Sequence, residues 1–167
     1  MRLKMKETER DNPGVIVPPP LIALATLLLG LALDWLTQTF VLRVLLTFYE
    51  RLVVGALLVA AGGVFVVVGA GTFRALGTNI PPWQPSLKLA TSGIYAWLRN
   101  PMYVGLGLLT AGFGIALASD WTLVLLLPAG ILLHRYVVLR EESYLEETFG
   151  DAYRQYKKRV PRYGWPV

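Results

Sequence analysis

The sequence has no cysteine and a single histidine, His134, among its 167 residues. Without cysteine the chain can form no disulfide, use no thiolate nucleophile and build no cysteine-based metal site. One histidine is too few for a histidine-cluster metal site, so we expect no bound metal. His134 is expected to face a neighbouring helix or the membrane interface rather than to act as a base. These absences exclude several common kinds of enzyme.

Charged residues are also scarce, at 16% of the chain, whereas 54% of the residues are hydrophobic. The apolar residues are gathered in long runs, and runs near ~20 residues are long enough to cross a bilayer as helices. The net charge of +5 could suggest nucleic acid, but in a membrane chain the placement of charges matters more than their sum. We therefore expect the lipid bilayer as a partner, and no nucleic acid.

Four apolar runs predict an all-α integral membrane protein with about four transmembrane helices. The runs cover about residues 20–36, 52–72, 102–118 and 121–139. Only Ser119 and Asp120 separate the last two spans, which must therefore form a tight antiparallel hairpin. Glycines are frequent in the second and third spans, and in lipid such small residues let helices approach closely.

The basic residues predict how this single membrane domain is oriented. It divides into an N-terminal tail (1–19), two spans (20–72), a loop (73–101), a hairpin of two further spans (102–139) and a C-terminal helical tail (140–167). The two tails and the loop share one side of a four-span bundle, and only Arg43 and Arg51 lie on the other side. The positive-inside bias then places both termini in the cytoplasm. In a prokaryote this would be the inner or plasma membrane.

The loop ends in RNPMY, directly before the third span. Pro101 disfavours helical backbone at the preceding residue and suits the first turn of a helix, so Asn100 is predicted to be the N-cap. A helix start beside Arg99 can bind a carboxylate or a phosphate. Alternatively, the stretch is only a capped helix whose Arg99 side chain reaches the lipid headgroups.

The C-terminal tail begins with REESYLEETFGDAYRQYKKRVPR. Gly150 is expected to end one helix and Asp151 to cap the next. Glu141 and Glu142 face the unfavourable end of a helix dipole, yet a carboxylate pair at the membrane boundary can hold a cationic ligand. Apolar and aromatic residues recur at helical spacing, as in an amphipathic helix on a membrane surface: Leu145, Phe149, Tyr153 and Tyr156.

Three features occur in this order along the chain: TSGIYAWLRNPMYVG, the glycine-rich hairpin and REESYLEETFGDAYRQYKKRVPR. Together they resemble the isoprenylcysteine carboxyl methyltransferase and phospholipid methyltransferase group of membrane enzymes. The resemblance covers roughly residues 72–163 and rests on the order of the motifs rather than on RNPMY alone. Many members have histidine where this chain has Asn100, so a proton acceptor that those members have is missing here.

The resemblance implies S-adenosyl-L-methionine as methyl donor, bound in the cytoplasmic half of a membrane methyltransferase. It places RNPMY and the two glutamates around this donor. The donor-binding residues expected from it are Tyr95, Leu98, Asn100, Pro101, Tyr103, Glu141 and Glu142. The residues expected to take part in catalysis are Arg99, Asn100, Arg140 and Glu142. The two arginines would orient an anionic acceptor or brace the glutamates.

The acceptor is expected to be lipophilic and to enter sideways between helices. Methyl transfer is an in-line displacement, so alignment of the reactants can supply roughly 7–11 kcal/mol of the barrier reduction. An amine must lose a proton, and the chain has few neutral bases. This favours an ionised acceptor, such as an isoprenoid carboxylate or thiolate, although a lipid head group remains open.

Two other interpretations remain open at the level of sequence. One is an NADPH-dependent reductase related to the membrane sterol reductases, whose chains are much longer. The other is a non-enzymatic module that binds a partner or anionic lipid, in which Asn100, Glu141 and Glu142 would be replaceable. For the methyltransferase, Glu142→Gln and Asn100→Ala are expected to lose donor binding while keeping the fold. The sequence sets neither the oligomeric state nor a role for Asp34.

Overall fold

The computed structural model describes residues 12–39 and 41–164, and within these ranges the regular structure is entirely helical. The helices are α1 (Pro19–Thr37), α2 (Val41–Leu45), α3 (Phe48–Leu76), α4 (Pro101–Ala116), α5 (Asp120–Leu133), α6 (Leu139–Phe149) and α7 (Asp151–Arg159). A short 3-10 helix, Gly93–Ala96, precedes α4, and a π-helical segment, His134–Val138, joins α5 to α6. The predicted all-α class is confirmed for this part of the chain. Residues 1–11 of the predicted N-terminal tail lie outside it.

Three helical stretches are long and apolar enough to cross a membrane: Pro19–Thr37, Phe48–Leu76 and Asp120–Phe149. The remaining apolar helix, α4, has only 16 residues. At 1.5 Å per residue it is roughly 24 Å long, short of the roughly 30 Å of a hydrocarbon core. The structure therefore has three helices of full spanning length and one shorter helix where the sequence predicted four spans.

The helices bury small residues and leave large apolar ones on the outside. The buried positions of α3 are Gly55, Gly62 and Gly69, whereas Leu57 and Val67 are exposed. Water would penalise such a surface, but hydrocarbon does not, and close packing of small residues is what holds membrane helices together. The pattern is that of a bundle surrounded by lipid.

Helices α3 and α4 meet at two glycine pairs. A Cβ atom added at Gly62 would lie 2.6 Å from the carbonyl oxygen of Gly105, and one added at Gly112 would lie 2.7 Å from that of Gly55. In both cases the obstacle is backbone, which cannot move aside as the end of a flexible side chain can. These glycines therefore make a contact within one chain and set the distance between α3 and α4.

Asp34 joins the end of α1 to the turn between α4 and α5. Its carboxylate accepts hydrogen bonds from the Ser119 hydroxyl, from the Thr39 hydroxyl at 2.6 Å and from the Trp121 backbone N–H at 3.2 Å. Because Asp34 and this turn are far apart in sequence, no local pattern indicated the contact. Its role is to fasten the first helix to the α4–α5 hairpin.

The helix that contains the last predicted span continues to Phe149. No glycine or proline interrupts residues 131–149, and the helix ends at Gly150, whose positive φ of 53° is readily adopted only by glycine. The predicted capping role of Asp151 is wrong, because Gly150 occupies the N-cap position of α7. The Asp151 carboxylate instead accepts a hydrogen bond from Arg154 at 2.7 Å.

The aromatic face of the C-terminal helices is covered by protein. Tyr153, Tyr156 and Val160 form a buried cluster against Leu89 of the loop between α3 and α4. Leu145 and Phe149 of α6 pack on the same cluster. The helical spacing predicted this face correctly, but the loop covers it where a membrane surface was the simpler expectation.

The glycine contact between α3 and α4 can be tested with two neighbouring alanine variants. Gly62→Ala should lower the free energy of unfolding by about 1–3 kcal/mol, since the new methyl group meets the Gly105 carbonyl. Gly63→Ala is the matched control, because a Cβ there has no neighbour within 4 Å among the described residues. Unfolding of the purified proteins in mixed micelles measures both, and equal stabilities would contradict the contact.

Candidate functional site

A cavity lies between the loop that follows α3, the start of α4, and helices α6 and α7. It encloses about 790 Å³ of empty space, part of which is open to solvent. The loop is held over it by its own bonds: the Thr78 hydroxyl accepts hydrogen bonds from the backbone N–H groups of Leu87 and Lys88 at 2.9 and 3.2 Å. Pro81 and Pro82 form part of its wall.

Most of the residues singled out from the sequence line this cavity: Tyr95, Arg99, Asn100, Pro101, Tyr103, Glu141 and Glu142. Leu98 does not, although it is buried. Arg140 is exposed and donates a hydrogen bond to the Gly14 carbonyl at 2.8 Å, on another side of α6. Consecutive helical residues point in directions about 100° apart, so the side chains of Arg140 and the glutamates cannot all face the cavity.

Glu142 forms ion pairs with two arginines. Its Oε1 atom accepts hydrogen bonds from Arg99 Nη1 at 2.8 Å and from Arg162 Nε at 2.8 Å. Its Oε2 atom accepts one from Arg162 Nη2 at 2.7 Å. The side chains of Glu142 and Arg99 are only 11% and 5% exposed, so these are buried charges that depend on one another.

Arg99 joins the loop to the C-terminal segment. Its Nε atom donates to the Val160 carbonyl at 3.0 Å, its backbone N–H donates to the Pro161 carbonyl at 3.0 Å, and Nη1 also donates to the Tyr153 hydroxyl at 3.3 Å. Burial, reinforced by the Glu142 carboxylate, raises the pKa of Tyr153 to about 12. Of the two roles expected for Arg99, this geometry corresponds to bracing a glutamate.

Glu141 has different surroundings from its neighbour Glu142. Its Oε1 atom accepts a hydrogen bond from the Tyr103 hydroxyl at 2.6 Å, and it forms no ion pair with any residue in 12–39 or 41–164. A partly buried carboxylate without a cation is costly unless a positively charged group reaches it. The cavity therefore has one carboxylate that is suited to a cationic ligand.

Asn100 occupies the N-cap position of α4 and is buried, but its side chain does not cap the helix. The amide Nδ2 instead donates to the carbonyl of Arg162 at 3.3 Å. The predicted N-cap position is therefore confirmed, but the side chain forms no capping bond, and its amide donates to the C-terminal segment instead. Pro101 is the first residue of α4, as predicted.

Tyr95 places an unpaired hydroxyl at the cavity wall. The residue is only 4% exposed, and its hydroxyl has no hydrogen-bond partner among the described residues. Its ring packs against Phe73 at 5.0 Å, and its carbonyl accepts a bond from the Tyr156 hydroxyl at 2.7 Å. Burial raises the pKa of Tyr95, so the hydroxyl stays neutral and can donate. An unpaired buried group of this kind costs about 1–3 kcal/mol.

Sequence reasoning missed Arg162 and Tyr153. Nothing in the sequence distinguishes Arg162 from the other basic residues of the C-terminal tail, and the helical spacing places Tyr153 only on an aromatic face. Their position next to Glu142 depends on how the last residues fold back over the loop, and no spacing within the tail indicated it. His134, expected at an interface, pairs through Nδ1 with the Tyr163 hydroxyl at 2.9 Å.

A model of the phospholipid methyltransferase family matches residues 50–152, which is well over half of the chain. The chain belongs to this family. In this phospholipid methyltransferase family member, the matched region begins in the first turn of α3 and ends in the first turn of α7. It includes the loop, α4, α5 and both glutamates. With three apolar helices of spanning length, this family member is an integral membrane protein.

The chain is also similar to named enzymes. Protein-S-isoprenylcysteine O-methyltransferase of Schizosaccharomyces pombe is 40% identical over 76 residues, which are 44% of this chain and 31% of that one. The human protein of the same name is 38% identical over 73 residues, 44% of this chain and 26% of that one. The matched part therefore spans about a third or less of these relatives.

The chain is also similar to a short protein of Haemophilus influenzae, an uncharacterized protein. It is 32% identical over 62 residues, which are 37% of this chain and 98% of that protein. No solved structure matches the chain significantly.

The ion pairs of Glu142 should matter for folding. Glu142→Gln should lower the free energy of unfolding by roughly 3–5 kcal/mol, because Arg99 is left buried without its counter-charge. This differs from the expectation, drawn from the sequence, that the variant keeps its fold intact. Unfolding in mixed micelles is the measurement.

Glu146→Gln is the control for this variant. Glu146 lies on the same helix and pairs with Lys157 at 2.6 Å, but at a more exposed position where ion pairs add little to stability. If the two variants unfolded alike, the buried network would not hold the fold.

Proposed function

We propose that the protein binds S-adenosyl-L-methionine in the cavity and transfers its methyl group to a lipophilic acceptor in the membrane. The observation that carries the proposal is the Glu141 carboxylate, which lines the cavity and pairs only with the Tyr103 hydroxyl within the described structure. Membership in the phospholipid methyltransferase family supports the reaction type.

The chemistry of the cavity fits this donor. S-adenosyl-L-methionine carries a positive sulfonium, an amine, a carboxylate and an adenosine. Glu141 would hold one of the two cationic groups, and the exposed Lys88 ammonium at the rim would meet the carboxylate. The unpaired Tyr95 hydroxyl would bond to another polar group of the donor. The aromatic and proline walls suit the adenine.

The donor, when bound, supplies an activated methyl group. The chain would supply the alignment of the donor. Arg99 and Arg162 form ion pairs with Glu142 and so hold the loop and the C-terminal segment against α6. This fixes the backbone beside Glu141, and with it the position of the carboxylate that faces the donor. A buried, partly closed cavity also limits water at the reacting atoms. Positioning of this kind can supply much of the rate of an in-line displacement.

The cavity end of the bundle is proposed to face the cytoplasm. Basic residues collect there, at the end of α3, on the loop and on the C-terminal helices, as in Arg74, Lys88, Lys157 and Arg159. Such a bias is typical of the cytoplasmic side of membrane proteins. The donor would then enter from the compartment where it is made, while the acceptor remains in the bilayer.

The NADPH-dependent alternative is less compatible with the charges of the cavity. NADPH carries several phosphate charges, whereas the Glu141 carboxylate has no cationic partner within the described structure and Arg99 already pairs with Glu142. Phosphate binding normally needs free donors such as arginine or backbone N–H groups. Family membership likewise favours the methyltransferase over the reductase and over a non-enzymatic module.

The donor site is tested by titrating the protein in nanodiscs with S-adenosyl-L-methionine and S-adenosylhomocysteine, with NADPH as control. Glu141→Gln should weaken binding of S-adenosyl-L-methionine roughly 10- to 100-fold, because a charge-assisted contact is lost. If Glu141 faces the sulfonium, the neutral thioether of S-adenosylhomocysteine should be affected much less. If it faces the amine, both affinities should fall together.

Glu147→Gln provides the matched control, since Glu147 lies on the exposed side of the same helix and does not line the cavity. It should bind both adenosyl ligands as the parent does. Saturable binding of NADPH alone, or unchanged donor affinity in Glu141→Gln, would contradict the proposal.

Tyr95→Phe separates ligand binding from folding. The variant should be at least as stable as the parent, because the buried hydroxyl that it removes has no partner within the described structure. Its affinity for S-adenosyl-L-methionine should fall roughly 2- to 10-fold, the value of one hydrogen bond. Melting curves and the same titration measure the two effects. A loss of stability with unchanged affinity would argue against this role of Tyr95.

A further inference from the structure

The segment before α1 lies against α6, next to the cavity. Within it, Pro13 and Val15 are buried, whereas Gly14 and Ile16 are exposed. One side of the segment therefore faces the protein and the other faces outwards. We call residues 12–18 the N-terminal strap.

A glycine carries the bond between the strap and α6. The Gly14 carbonyl accepts a hydrogen bond from Arg140 Nη1 at 2.8 Å. The Gly14 backbone N–H donates to Asn12 Oδ1 at 2.9 Å, and its φ of 66° is readily adopted only by glycine. The turn at Gly14 thus presents its carbonyl to an arginine that lies 126 residues further along the chain.

Pro13 forms a wall between two spaces. It lines the cavity, and it also lines an outer depression beside Leu139, Arg140 and Ser143. It is the residue that the two linings have in common within the described structure. Withdrawal of the strap would therefore open the cavity towards the outside of α6.

The position of this wall depends on the contacts near Pro13. The strap joins α1 through the prolines at 18–20, whose rings fix φ and stiffen the backbone there. Nearer to Pro13 it is held by the buried Val15 side chain and by the Arg140 bond. A hydrogen bond from a charged guanidinium is stronger than one between neutral groups. Its loss should therefore loosen the strap where it borders the cavity.

We propose that Arg140 is a positioning residue, which holds the N-terminal strap over the cavity and thereby slows the exchange of the methyl donor. The proposal rests on the proposed function. Arg140 does not line the cavity and acts through Gly14 and Pro13. Its role is then neither to orient the acceptor nor to brace the glutamates, the two roles expected from the sequence.

Closure of the strap and binding of the donor should be coupled. If the closed strap retains the donor, the bound donor must favour the closed strap to the same extent, because coupling between two equilibria is reciprocal. An arginine that only stabilised the fold would not connect the two. The coupling is therefore the property to be measured.

The absence of cysteine allows a single introduced thiol to report on the strap. Val15→Cys places it at a position that is 6% exposed, and Ile16→Cys places it at the neighbouring position, which is 83% exposed. Each is made in the parent, in Arg140→Ala and in Arg135→Ala. Arg135 is the matched control, because it is an exposed arginine of the same helical stretch that does not line the outer depression.

The rate of reaction with N-ethylmaleimide is followed by mass spectrometry of the proteins in nanodiscs. Val15→Cys should react slowly in the parent and in Arg135→Ala, and roughly tenfold faster in Arg140→Ala, the value of one charge-assisted hydrogen bond. Ile16→Cys should react at one rate in all three. Saturating S-adenosylhomocysteine should slow the reaction of Val15→Cys in Arg140→Ala by roughly three- to tenfold, through the same coupling.

Release of the ligand is measured in proteins without an introduced cysteine. Radiolabelled S-adenosylhomocysteine is bound, an excess of unlabelled ligand is added, and the loss of label is followed. Release should be roughly tenfold faster from Arg140→Ala than from the parent, and unchanged in Arg135→Ala. The melting temperatures of the three ligand-free proteins should be alike, since Arg140 is exposed.

Two results would overturn the proposal. One is a reaction rate of Val15→Cys that does not change in Arg140→Ala. The other is a lower melting temperature of Arg140→Ala with unchanged release of the ligand, which would make the bond merely structural. If Arg140→Ala exposes Val15→Cys but no protein binds an adenosyl ligand, the proposed function fails, although the hold of Arg140 on the strap is upheld.

Discussion

The structure around the cavity depends on the buried charge of Glu142. This carboxylate lies on α6, and the two arginines that neutralise it come from the loop before α4 and from the segment after α7. Removing either arginine would leave charge in a poorly solvated place, so the three parts of the chain must assemble together. Asn100, Tyr153 and the Val160 carbonyl then take the positions that this ion pair imposes. The network is a support for the site more than a part of its binding surface.

Two consecutive glutamates have separate roles because a helix turns about 100° per residue. Glu142 points to the arginines and is satisfied, whereas Glu141 points to Tyr103 and the cavity and has no cation within the described structure. The Tyr103 hydroxyl gives Glu141 a hydrogen bond, while Glu142 and its arginines hold the surrounding backbone in place. The same residue type thus stabilises the fold at one position and supplies the proposed contact to a cationic ligand at the next.

Hydropathy predicted the helices well, and the order of RNPMY and the double glutamate indicated which residues would meet. Tyr95, Tyr103 and Glu141 could be selected in this way because each lies within or beside a motif. Three other features could not be predicted from the motifs: the pairing of Arg99 with Glu142, the bond of the Asn100 amide to the C-terminal segment, and the outward direction of Arg140. These depend on chain segments more than forty residues apart, or on helix rotation, and a linear pattern records neither. Hydropathy also did not predict the shortness of α4, because it identifies apolar runs and not the residue at which the helical backbone ends.

A small membrane protein that joins a charged ligand to a lipophilic one must place polar and apolar surfaces side by side. Here the boundary falls at Tyr103, whose hydroxyl bonds to Glu141 on the cavity side, while an apolar depression between α1, α4 and α5, lined by leucine and glycine, adjoins the same residue. The start of α4 makes this arrangement possible, since the helix begins at Pro101, directly after the loop, and Tyr103 lies in its first turn. The point at which α4 begins is thus tied to where the polar and apolar surfaces meet.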